Sequence, residues 1–143
     1  MQKEDERVYQ QIQKNTEMAI KTISELEQQV EDRDFSRQLA RESIKYSELY
    51  NRALSRLVDD KKESYHGNYL QDMVLKSFIR AGTMLNNSTS HMAELMIEGT
   101  NRGITDMCKV MNHISQTDSV SVELARELMD FEENTIEELK RYL

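Results

Sequence analysis

A chain of 143 residues is long enough to bury a sizeable core and fits a single domain. Charged residues make up 31% and aromatics 6%, with no proline and a net charge of −7. An acidic surface repels phosphate backbones, and no apolar run approaches the roughly 20 residues that span a bilayer, so nucleic acid and a membrane span are poor expectations.

The opening "MQKEDERVYQ" has no apolar stretch of the kind a secretory signal carries, so a cytoplasmic protein is expected. The first helix reads from about residue 3 to 30. Val8, Ile12, Ala19, Ile23, Leu26 and Val30 recur at spacings of three, four and seven, on one stripe, with polar Asn15 and Thr16 interrupting it. The acids of "KEDER" suit a helix N-terminus. "EDRD" breaks the pattern, and Asp32 or Asp34 can cap the next helix.

A second helix reads over residues 35–63, with Phe35, Leu39, Tyr46, Tyr50, Ala53 and Leu57 on one face. The short link makes the first two helices an antiparallel hairpin. "YHGN" is turn chemistry. A shorter connector helix comes next, over 69–85, with Leu70, Val74, Phe78, Ala81 and Leu85 on one side.

After "NNSTS" comes a third long helix over 91–114, whose seam is Met92, Met96, Gly99, Gly103, Met107, Val110 and Ile114. Glycine costs a helix interior about 1 kcal/mol relative to alanine. Two glycines one turn apart on an apolar seam are therefore expected to mark a close helix crossing at Gly99 and Gly103. "SQTDS" separates this helix from a last one over 119–143, which buries Leu124, Leu128, Phe131, Thr135 and Leu139.

The expected architecture is all-α: one domain over 1–143, with two long-helix hairpins joined by a connector carrying a short helix. The connector helix is about 25 Å long at 1.5 Å per residue, and with its extended ends it can traverse the bundle. The third long helix can then run parallel to the second; an up-down-up-down bundle with the short helix across one end is the other possibility.

This layout, with stretches such as "EMAIKTISEL" and "ELARELMDFEENTIEELKRYL", resembles the ferritin-like superfamily, and more narrowly small rubrerythrin-related bundles of bacteria. The resemblance implies a four-helix bundle with mid-bundle glutamates and two Glu-x-x-His pairs around a di-iron site. Here the histidines are missing. Glu42 is followed three residues on by Lys45, and Glu132 by Thr135; Glu17 and Glu98 lie beside their seams. The one literal Glu-x-x-His, Glu63 to His66, sits at a helix end beside Gly67.

The chain is therefore expected to be non-enzymatic, without metal or other cofactor, and to bind itself as a homodimer or another protein. The alternative is a carboxylate-only site in which Glu17, Glu42, Glu98 and Glu132 hold iron or manganese, hard oxygen ligands favouring manganese. A third reading places a small ligand between helices at Gly99 and Gly103. Cys108 is expected to be a buried, inert thiol, and Asn15, Thr16, Ser43 and Thr135 a small internal polar network.

Overall fold

A computed structural model describes residues 1–115 and 119–143. Five α-helices and no strand occur among them: α1 (Lys3–Glu27), α2 (Arg33–Asp59), α3 (Tyr69–Leu85), α4 (Thr89–Met111) and α5 (Ser119–Leu139), followed by a 3₁₀ turn at Lys140–Tyr142. The all-α expectation holds, and the connector helix has the bounds read from the pattern.

The long helices end sooner than their periodicity suggests. α1 stops at Glu27, three residues before Val30, because Asp32 caps α2: its Oδ1 accepts the Phe35 backbone N–H at 2.8 Å. Val30 still packs on the core, from the turn rather than the helix. α2 ends at Asp59 rather than 63, where Lys61 takes a left-handed conformation (φ 56°). The Lys61 and Lys62 N–H groups then satisfy the carbonyls of Val58 and Leu57, at 3.0 and 2.8 Å. This is the Schellman arrangement, with lysine where glycine is usual. α4 begins two residues earlier than read, with the Ser88 hydroxyl accepting from His91 N–H at 3.1 Å. The break read at 115–119 lies partly outside the described residues.

Long-range hydrogen bonds give the helix directions. Tyr46 and Gln38 of α2 reach Glu132 and Glu138 of α5, so these two run antiparallel. Ser115, beyond the end of α4, bonds Glu4 at the start of α1, so α1 and α4 are antiparallel as well. Ser121 donates to Asp5 at 2.7 Å, which sets the start of α5 beside the start of α1.

The segment between α2 and α3 lies along α1. The Gln10 amide donates to the Glu63 carbonyl (2.8 Å), and the Tyr65 N–H donates to the Gln13 side chain (2.8 Å). α3 continues the climb: Lys21 bonds Asp72, Arg80 bonds Glu25, and Gln29 bonds Thr83. α4 thus starts at the end where α1 finishes and runs in the same direction as α2.

The core is built from the expected stripes. Val8, Ile12, Ile23 and Leu26 of α1 pack with Phe35, Leu39, Tyr46 and Leu57 of α2, Met92 and Met107 of α4, and Leu128 and Leu139 of α5. Tyr46 meets Phe131 edge-on at 5.0 Å, and Phe35 meets Tyr142 at 5.1 Å. The connector is the exception. Its buried side is Ile79 and Thr83, while the side chosen by periodicity faces outward, with Phe78 64% and Leu85 90% exposed. No helix among the described residues is long and apolar enough to cross a membrane.

Candidate functional site: a cleft between α1 and α4

The glycines do not mark a helix crossing. A Cβ built on Gly99 meets nothing within 4 Å, and Gly99 is exposed. A Cβ on Gly103 would stand 2.9 Å from Oε2 of Glu132 and 3.5 Å from the Asn15 amide nitrogen. The room left by Gly103 is therefore used by a carboxyl group from α5, not by a neighbouring backbone. The Asn15 amide also donates to the Gly103 carbonyl at 2.8 Å, and Gln11 supports Asn15 at 2.7 Å. This bond joins α1 to α4.

Beside that bond lies a cleft of about 230 Å³. α1 contributes Met18, Ala19 and Thr22, α4 contributes Met96 and Gly99, α3 contributes Leu75, and Tyr46 and Glu132 reach in from α2 and α5. Its wall is mostly apolar surface, and Arg102 and Asp106, paired at 3.3 Å, stand among its lining residues. Glu132 is 2% exposed. Tyr46 Oη donates to Glu132 Oε2 at 3.3 Å, while Glu132 Oε1 is buried and has no hydrogen-bond partner. Burial pushes the Glu132 carboxyl up to about 8, against the opposing effect of the Tyr46 bond. Burial, with Glu132 and Glu42 nearby, also raises the Tyr46 hydroxyl well above its ordinary value. Near pH 7 both groups are mainly neutral.

The four carboxylates of the metal alternative are not brought together. Glu17 bonds Lys21 at 3.2 Å, and Glu98 is exposed. Only Glu42 and Glu132 are buried. Glu42 is 1% exposed and accepts from the Gln38 amide at 3.1 Å, and burial raises it to about 7. Among the described residues no group of three or more His, Cys, Asp or Glu is arranged to hold a metal ion. The residues present do not fit a di-iron or di-manganese centre. Lys45 does not point to the centre either; it joins Glu127, Arg52 and Glu48 in an ion-pair cluster between α2 and α5.

Other candidates separate widely. Cys108 is exposed, contrary to the buried thiol expected, with its sulfur 4.0 Å from that of Met129. His66 is exposed in the connector, His91 sits 3.6 Å from Glu94, and the His113 ring meets the Lys109 carbonyl at 2.7 Å. Of the polar seam residues, Asn15 bridges helices, whereas Thr16 bonds within its own helix, to the Ile12 carbonyl at 2.8 Å. A second, more open groove between α1 and α3 contains the ion pairs of Lys21 with Glu17 and Asp72.

No family model matches the chain, and no curated protein or solved structure is similar enough to count as a match.

Proposed function

We propose that the chain is a non-enzymatic helical bundle of ferritin-like build whose working part is the α1/α4 cleft, a receptor for a small, largely apolar molecule. Two antiparallel hairpins and a connector that climbs back along α1 support the ferritin-like kinship. The observation that carries the binding role is Glu132, a residue lining the apolar cleft whose buried Oε1 has no hydrogen-bond partner. Native proteins rarely leave such an atom unsatisfied, since the missing hydrogen bond costs about 1–3 kcal/mol. A bound molecule supplying a partner removes that cost. Burial holds the Glu132 carboxyl and the Tyr46 hydroxyl mainly neutral near pH 7, so they offer a guest hydrogen bonds rather than charge.

Methyl-labelled methionine reports on this directly. Met18 and Met96 line the cleft and the other methionines do not. Benzene is expected to shift the Met18 and Met96 methyl resonances saturably and to leave Met84 unmoved. Gly99→Leu, which puts a side chain into open space at the cleft, is expected to abolish the shifts. Uniform small shifts at all methionines would refute the reading.

A second role, self-association, is favoured by an exposed side of α3. Leu70, Val74, Phe78 and Leu85 form an uncovered apolar strip. Asp72 pairs with Lys21 and Arg80 with Glu25 of α1, which offsets the charges of this helix beside the strip. Light scattering of the wild type and of Phe78→Asp tests it: a dimer that dissociates in the variant is the expected result.

A further inference from the structure

We infer that the cleft selects a neutral molecule with an apolar body and one hydrogen-bond-accepting oxygen, such as a ketone, ester or ether. The inference rests on the cleft being a binding site.

Consider the donors and acceptors that face a guest. Tyr46 donates its hydroxyl proton to Glu132 Oε2, so Oε2 is the carbonyl oxygen of the neutral acid. Oε1 then bears the proton, and as a buried atom without a partner it is a spare O–H donor on a residue that lines the cleft. Two neighbouring polar groups are already committed. Thr100 donates to the Met96 carbonyl at 2.7 Å, and Asn15 donates to the Gly103 carbonyl. An ammonium ion carries three donors and needs several acceptors. Here it would find the Glu132 carboxyl and little else, since Asp106 is paired with Arg102. A single accepting oxygen needs one donor, and Glu132 Oε1 is the buried one left without a partner.

Size agrees with this. An apolar cavity of about 150 Å³ takes up benzene. A cleft of about 230 Å³ therefore has space for a six-membered ring with one small substituent.

The protonation state separates the ligand classes by the sign of their pH dependence. The groups facing Glu132 are Tyr46, with Glu42 beyond it, from α2, and the Arg102–Asp106 pair from α4; α1 and α3 contribute uncharged Asn15 and Leu75. Tyr46, raised well above its ordinary value, is neutral throughout the range used. Glu42 ionises near pH 7, and its negative charge would only hold Glu132 protonated to higher pH. An acceptor binds the protonated acid, so its affinity falls as pH rises past about 8. Binding of an ammonium releases the Glu132 proton, so its affinity rises as pH approaches about 8 and levels off above it.

The experiment titrates cyclohexanone, cyclohexylamine and cyclohexene into the labelled protein at pH 6 and pH 9, reading the Met18 and Met96 methyls. Cyclohexanone is expected to bind tightest at pH 6 and to weaken roughly tenfold at pH 9. Glu132→Gln, which keeps an N–H donor, is expected to bind it with no pH dependence. Amine affinity that rises with pH, or cyclohexene binding as well as the ketone, would overturn the ligand class and leave the cleft standing as a site. Silence from all three compounds would overturn the binding role as well.

Discussion

Gly103 and Glu132 act as one unit: the missing side chain on α4 is the space in which the carboxyl of α5 rests. Gly99, four residues earlier, has no such neighbour, so alanine there should add helix propensity without a clash. Gly99→Ala is expected to stabilise by about 0.5–1 kcal/mol in urea denaturation. Gly103→Ala should show much less benefit, because the new methyl displaces Glu132 and weakens its Tyr46 bond. In a Glu132→Ala background the full benefit returns, and the difference, about 1 kcal/mol, measures the coupling.

The buried acids also set a pH slope. Glu132 goes from an ordinary 4.5 to about 8 on folding, and Glu42 from 4.5 to about 7. A raised acid binds its proton better in the folded state, so its contribution is whole below pH 4.5 and is lost as pH rises through the folded value. Stability between pH 5 and pH 8 is expected to decline with rising pH, and Glu42→Gln with Glu132→Gln should flatten that decline. Glu127 is shifted the other way, lowered by hydrogen bonds from Arg52 and Lys45. Its contribution is present above its unfolded value and is lost as pH falls below it, so it acts at the acid end.

Helix ends show what local chemistry announces and what it does not. Asp32, Asn68 and Ser88 each accept a backbone N–H at a helix start, and acids or hydroxyls before an apolar stripe are readable as caps. The end of α2 was not readable, because the left-handed residue is Lys61 and nothing in "DDKKES" marks it. Lys61→Gly is expected to raise the urea midpoint, by up to about 1 kcal/mol in stability, since the lysine Cβ is strained there. α3 illustrates a second limit. Its bounds were legible, but apolar residues occur on both of its sides, and periodicity does not say which side meets α1. Ile79, not Phe78, turned out to be the inward residue. The site divides in the same way. Gly103 and Glu132 could each be named from their helices, whereas their contact depends on the register of α4 against α5, which no local pattern encodes.

At the scale of the molecule the crossover decides the layout. The strap from Asp60 to Asn68, held by Gln10 and Gln13, and α3 beyond it both lie along α1. α1 also packs on α2, α4 and α5, so it touches every other helix. The hairpins are therefore not independent modules, whatever their similarity in plan. A piece comprising residues 86–143 retains α4 and α5 but forfeits the inner wall both lean on. Alone it should give the circular dichroism of a mostly unstructured peptide. Mixed with a piece comprising 1–85, it should recover helicity at a rate that depends on concentration, as two halves of a severed protein reassembling.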